Sequence, residues 1–403
     1  MEPDDSTAPH HETPGFGDPD LPQEGIVNTE GDPSANTMTG PQNRVLEGLF
    51  PNQIAAPATD ISTQPFFWSS FNISPRRVQR GGWARELTQA DFAISNEIAG
   101  VNMYLEAGGI RELHWHQSAE WALMTKGNCR ITTLSRTGRP SVDDVQEGDL
   151  WYFPPGLPHS LQGLGPDGAE FVLAFDDGEQ SESNTLLLTD WFAHTPPDVL
   201  AKNFGVAQEV FRGIPLHDLW IFPGDVPGDL QADRAAAGVQ DGDEAVIFRL
   251  SRSEPVHQNS GGRIQIADST NFPASRTVSA ALTTVEPGSM RELHWHPNAD
   301  EWQYYLRGSA RMTVFNTGPH ANTTDFHAGD VGVVRRNFGH YVENTGDDTL
   351  VYIETFKSSR YEEVSLAQWL SHLPPSLVAQ HLNIPEEVLA TFPPGTQGIT
   401  PLR

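Results

Sequence analysis

Residues 111–116 read Arg-Glu-Leu-His-Trp-His, and the same six residues return in the same order at 291–296. A hexamer recurring 180 positions on, in a chain of 403, marks an internal duplication, and neighbouring segments fall into step with it. "EWALMTKGNCRITTL" answers "EWQYYLRGSARMTVF", "GDLWYFPPG" answers "GDVGVVRRN", and "LTDWFAHTPPDVLAKNFG" answers "LAQWLSHLPPSLVAQHLN". Two copies are too few for a solenoid or a propeller. The runs are short, apolar or alternating, and broken by Gly, Pro and Asp. With 36 Gly and 32 Pro, that pattern predicts an all-β chain of two small antiparallel barrels or sandwiches, each followed by short helices.

The repeated hexamer also carries chemistry. Residues two apart on a strand share a face, so His114 and His116 present adjacent imidazoles, as do His294 and His296. Glu120 and Glu301 follow closely, and each is 39 residues before a further histidine, His159 and His340. Each half therefore offers three imidazole nitrogens and one carboxylate oxygen, kept in step through the duplication. That donor set, without sulfur, suits Mn(II), Fe(II), Co(II) or Ni(II), and an octahedral ion held by four ligands keeps two positions open. Cys129 is the only cysteine, so neither an intrachain disulfide nor a cysteine-based metal site can form.

The pattern Gly108…His114-x-His116…Glu120…Gly127, with Gly148…Pro154-x-Gly156…His159 after it, resembles the two motifs of the cupin superfamily. The second half repeats it from Gly288 to Gly308 and from Gly329 to Asn344, with Arg335 and Asn337 where Pro and Gly are usual. The resemblance spans roughly residues 80–390 and implies two double-stranded β-helix, or jelly-roll, barrels. Beyond the ligands, "EGDLWYFPPGLPHS", "LTDWFAHTP", "ADSTNF", "DEWQYY" and "GHYVEN" closely resemble the bicupin oxalate decarboxylase family. That resemblance implies one Mn(II) in each barrel, so two per chain, dioxygen as a catalytic partner, oxalate as substrate, and formate and carbon dioxide as products. It also implies a homo-oligomer, trimer or hexamer. The alternatives are an oxalate oxidase on the same scaffold and a non-catalytic storage-type bicupin; the paired intact ligand sets speak against the second.

Four further residues are candidates for catalysis. Arg111 and Arg291 lie three positions before the first ligand histidine, and a guanidinium fork suits a carboxylate substrate. Residues three apart on a regular strand point oppositely, so a bend or a long reach is needed to bring either arginine to its metal. Between Phe175 and Trp191 the first half carries three more residues than the second, in the polar stretch "DDGEQSESNT". Its Ser181-Glu182-Ser183-Asn184-Thr185 resembles the family's Ser-Glu-Asn-Ser-Thr lid with the middle pair exchanged, which implies Glu182 as proton acceptor and donor at the first metal. In the second half Glu354, on a strand, is expected either to act at the second metal or to pair with Arg291. Trp115 and Trp295 are expected to point away from the ligands and to pack on a neighbouring surface.

A formal net charge of −28 argues against nucleic acid and anionic membranes as partners, and no apolar run is long enough to span a bilayer. The expected divisions are an acidic, Pro-rich arm without regular structure at 1–60, a first cupin domain at 61–230 and a second at 231–403. The opening residues lack the basic and apolar regions of a signal peptide, which gives a cytoplasmic expectation for the sequence as it stands and a secreted one if a signal was removed.

Overall fold

A computed structural model describes residues 43–54, 56–60, 66–240, 245–317 and 320–402. Both copies fold as the repeat predicts, into antiparallel β-barrels followed by short helices such as Leu188–Ala193 with Pro197–Phe204, and Leu366–Ser371 with Pro375–Leu382. Among the described residues no helix is long and apolar enough to cross a membrane.

In the first barrel one long strand, Glu120–Leu134, turns the corner between the two sheets. Its first part pairs with Leu150–Phe153 and Ala169–Phe175, and its second part with Pro140–Gln146 and His159–Gly163. Gly127 stands at the corner with φ +74°, where a Cβ would meet the Gly168 carbonyl oxygen at 2.1 Å. In the second barrel the equivalent strand is split into Glu301–Arg307 and Ser309–Asn316 around Gly308, φ +88°. Only glycine adopts that conformation without a steric penalty, which explains the motif glycine in both copies.

The run Trp121-Ala-Leu-Met124 is apolar on both faces because both faces are buried. Ala122 and Met124 fill the first barrel's interior with Trp151 and Phe171, while Trp121 and Leu123 join Trp302 and Phe272 in a core shared between the barrels. The barrels also exchange edge strands. Trp68–Ser70 pairs with Asp330–Val334 of the second barrel, and Ile247–Phe248 pairs with Leu150–Phe153 of the first. Each exchanged strand satisfies edge groups of the other barrel that would otherwise be left open.

Residues 43–60, assigned by composition to the N-terminal arm, form the short helices Arg44–Leu49 and Pro51–Ile54 and dock on the second barrel. The Asn52 amide donates to both oxygens of the buried Asp325, at 2.9 and 2.7 Å, and Asp60 accepts from the Thr323 backbone and hydroxyl. The rest of the arm, with His10 and His11, lies outside the described residues.

Candidate metal centres

The strand Gly109–Trp115 supplies Arg111 and His114. It pairs Arg111 with Leu161 but His114 with His159, so three steps on one strand face two on the other. That extra residue is a β-bulge, so of a bend and a long reach the strand takes the bend: Arg111, Glu112 and His114 are all buried while Leu113 turns out to solvent. The strand Met290–Trp295 has the same irregularity between Arg291 and His294, paired to Val342 and His340.

In each barrel the four predicted ligands converge. One donor atom from each of His114, His116, Glu120 and His159 lies within 4.8 Å of the others, and the same holds for His294, His296, Glu301 and His340. Each imidazole has its Nδ1 beside a backbone carbonyl: Glu112, Ser118 and Leu157 in the first barrel, at 2.5, 2.7 and 2.9 Å. In the second the carbonyls belong to Glu292, Glu362 and Phe338, at 2.6, 2.7 and 3.1 Å. A carbonyl only accepts, so Nδ1 carries the proton and Nε2 turns a lone pair to the centre. The Nε2 atoms of His159, His294, His296 and His340 and Glu301 Oε2 are buried without a hydrogen-bond partner. Orphaned acceptors aimed at one point fit a divalent cation.

Electrostatics favours the neutral imidazole at His114 and His294, whereas the Glu301 carboxylate beside His296 outweighs burial and raises that imidazole. Burial, with the nearby Arg111 or Arg291 cation adding to it, holds His114 and His294 well below the usual imidazole range. Burial alone would raise Glu120 and Glu301, but the histidines beside them outweigh it and hold both carboxyls low. Neutral imidazoles and ionised carboxylates are the forms that bind metal. The outer carboxylate oxygens are satisfied by groups the motif reading missed. Trp151 Nε1–H donates to Glu120 Oε1 at 3.0 Å, and Gln303 Nε2–H donates to Glu301 Oε1 at 2.7 Å. Both lie on strands that pair next to the ligand strand or on it, at alternating positions, the one signal that could have found them.

The glutamate of the repeated hexamer holds the bulge in place. Glu112 accepts from the Thr189 backbone and hydroxyl and from the Leu219 and Trp220 backbones. Glu292 does the same for Ser365, Gln397 and Gly398. Trp115 packs edge-on against Trp191, centroids 5.5 Å apart, and Trp295 against Trp369 at 6.0 Å, so the outward tryptophans rest on helices of their own chain.

The two barrels part company around their arginines. Arg291 is wholly buried and held at both terminal nitrogens: it donates to the Gly398 carbonyl and the Tyr361 hydroxyl and forms an ion pair with Glu363, while its Nε, 3.9 Å from Glu354 Oε1, makes no hydrogen bond. Glu354 accepts from Thr283 at 2.8 Å; burial and the neighbouring Glu301 charge push its carboxyl up to about 7. Arg111 has a looser setting. It donates to the Trp220 carbonyl at 3.2 Å and lies 3.8 Å from Oε1 of Glu182, in the loop with the three extra residues. Glu182, Thr185 and Arg111 close a cavity of about 10 Å³ over His114, His116 and Glu120. Glu363, Tyr361 and Arg77, which also pairs with Glu182, were not among the sequence candidates.

Duplicated barrels, each with a buried three-histidine, one-carboxylate pocket, define a two-domain cupin with two sites built for divalent metal. The Cupin family matches residues 69–212 and 248–389. The chain is 48% identical over 365 residues, 91% of its length and 93% of the relative's, to oxalate decarboxylase OxdC of Bacillus subtilis (strain 168). It is 41% identical to a probable oxalate decarboxylase of Arthroderma benhamiae, over 87% of each chain. A solved structure of the Bacillus subtilis enzyme, concerned with the Mn(II) centres of that protein, matches with a TM-score of 0.86 at 46% identity, covering 90% of this chain and 96% of that one. The chain belongs to the bicupin oxalate decarboxylase family.

Proposed function

We propose that this chain converts oxalate to formate and carbon dioxide at the first-barrel site, with Glu182 moving the proton. The carrying observation is the shared cavity: a carboxylate on a loop and a buried guanidinium on the ligand strand face the same three ligands. A manganese(II) ion held by His114, His116, Glu120 and His159, with dioxygen, would supply a one-electron acceptor and an open position for a substrate carboxylate. Arg111 holds the dicarboxylate and polarises the end that will become formate. Glu182 takes the proton of monoprotonated oxalate, the carbon–carbon bond breaks, carbon dioxide leaves, and Glu182 returns the proton to the remaining carbon. Hydrogen oxalate thus gives carbon dioxide and formate with no net oxidation.

The closed cavity has room for about one water molecule, so substrate exchange requires the Glu182 loop to open. If the proton is not returned, dioxygen completes a different balance: oxalate, dioxygen and two protons give two carbon dioxide and one hydrogen peroxide. The second site reads as supporting, because Arg291 is already committed to Glu363, Tyr361 and Gly398. A homo-oligomer is supported by the exposed apolar faces of the helical segments, where Trp191 is 60% and Trp369 52% exposed. Replacing Glu182 by Gln and measuring formate and peroxide from oxalate tests the reading; formate at the parent rate would refute it.

A further inference from the structure

Glu182 has a second cationic partner that the scheme above leaves unused. Arg77 is ion-paired to Oε2 of Glu182, on the side opposite Arg111. It comes from outside the ligand strands, on the short strand Arg77–Gln79, which forms an outer hairpin with Gly82–Leu87. Its guanidinium is tied to the Gln79 side chain and lies over the Trp220 indole, 4.6 Å from the ring centroid. Trp220 is also the residue whose carbonyl receives Arg111 and whose N–H is held by Glu112. The same hairpin grips the loop a second time, since Glu86 accepts from Ser181 Oγ at 2.9 Å and from the Glu182 backbone at 2.8 Å.

We infer that Arg77 is a positioning residue that keeps Glu182 over the first-barrel cavity while Arg111 is given over to the substrate. The inference rests on the reading of Glu182 as the proton carrier. A bound dicarboxylate competes with Glu182 for the Arg111 guanidinium. If Arg111 were the loop's only cationic tether, binding substrate would release the loop at the moment it must stay shut. Arg77 removes that conflict, because it holds the other carboxylate oxygen and is 30% exposed, outside the reach of a substrate in the cavity.

The closed loop can be read without an activity assay. Every backbone N–H from 181 to 185 is hydrogen-bonded in it: Ser181 to the Asn184 side chain, Glu182 to Glu86, Ser183 to Ser181 Oγ, Asn184 to the Ser181 carbonyl and Thr185 to the Glu182 carbonyl. The Glu182 bond to Glu86 is the one that leaves the loop, so amide exchange at 182 reports the loop lifting off the hairpin, and exchange at 181 and 183–185 reports loss of its internal turn. The test uses the manganese-loaded chain and its Arg77→Gln, Arg77→Lys, Glu182→Gln and doubly substituted Gln variants. Arg77→Gln is expected to speed exchange at 182 roughly tenfold, on the scale of a lost charge-assisted hydrogen bond, while the strand Ala169–Phe175 exchanges as before. Formate kcat should fall by a similar factor with KM little changed, the peroxide share should rise, and Arg77→Lys should restore part of both. Added to Glu182→Gln, it should lower formate no further. Unchanged loop exchange and product ratio in Arg77→Gln, with Glu182→Gln impaired, overturn the role of Arg77 alone. Formate at the parent rate in Glu182→Gln sinks the Glu182 reading and this inference together.

Discussion

Trp151 makes a small but specific contact with the candidate ligand Glu120, and Trp151→Phe isolates it. The indole is fully buried and its Nε1–H donates to Glu120 Oε1 at 3.0 Å, while Oε2 of the same carboxylate stands 3.2 and 3.3 Å from His116 and His159. Phenylalanine keeps the edge-on packing against Phe171 but removes the donor. A buried carboxylate oxygen is then left unsatisfied, which costs about 1–3 kcal/mol, and the carboxylate loses its fixed orientation. Since about 1.4 kcal/mol is a factor of ten, metal affinity at the first site should drop by roughly 10- to 100-fold, the usual scale for such supporting contacts. The second site is an internal control because Gln303 does the corresponding work at Glu301. Titrating metal-stripped protein with Mn(II) should show one weakened and one unchanged equivalent, and Gln303→Leu should weaken the other. If Trp151→Phe binds both equivalents as the parent does, the indole only fills space and the account of ligand orientation is wrong.

Other outcomes follow from the same geometry. His116→Ala should lower bound manganese from two equivalents to about one and abolish nearly all turnover, as metal analysis with a formate assay will show; activity with that site empty would move the chemistry to the second barrel. Arg111→Lys should keep both metals yet lose most of kcat/KM, because an ammonium cannot reproduce the planar fork; an unchanged rate would leave Arg111 a purely structural cation. Glu354, raised from 4.5 to about 7, binds its proton more tightly folded than unfolded, so its contribution to stability is full below about pH 4.5 and is lost as pH rises through about 7. In chelator-treated protein that loss is on the order of 3 kcal/mol, and Glu354→Gln should remove it; urea midpoints at pH 5 and pH 8 that shift alike in both proteins would contradict the assignment.

Much of this was legible in the sequence because the duplication checks itself. A lone His-x-His is weak evidence, but the 39-residue step from Glu120 to His159, repeated from Glu301 to His340, left little freedom, and the four side chains meet in both barrels. The conflict between strand alternation and the need for Arg111 and His114 on one face was also readable, but not whether a bend or a long reach resolves it. Long-range choices were not. Nothing local in "WSS" says that Trp68–Ser70 completes the second barrel's sheet, because an edge pairing depends on which backbone groups elsewhere lack a partner. Glu363 and Tyr361 were missed for a related reason: they reach Arg291 from the loop after the last barrel strand, across some 70 residues of sequence. Arg77 sits 105 positions from Glu182, and its role depends on a loop conformation rather than a spacing.

Glu182 is proposed to move the proton at the first-barrel site. Its most direct test is the simultaneous measurement of formate and hydrogen peroxide from oxalate by the Glu182→Gln chain, with manganese confirmed at two equivalents. Glutamine keeps the size and polarity of the side chain but can neither take nor return a proton. The account predicts formate production lower by about two orders of magnitude, the scale of positioned acid–base catalysis, with peroxide forming a larger share of what remains. Formate at the parent rate, with peroxide unchanged, would contradict it.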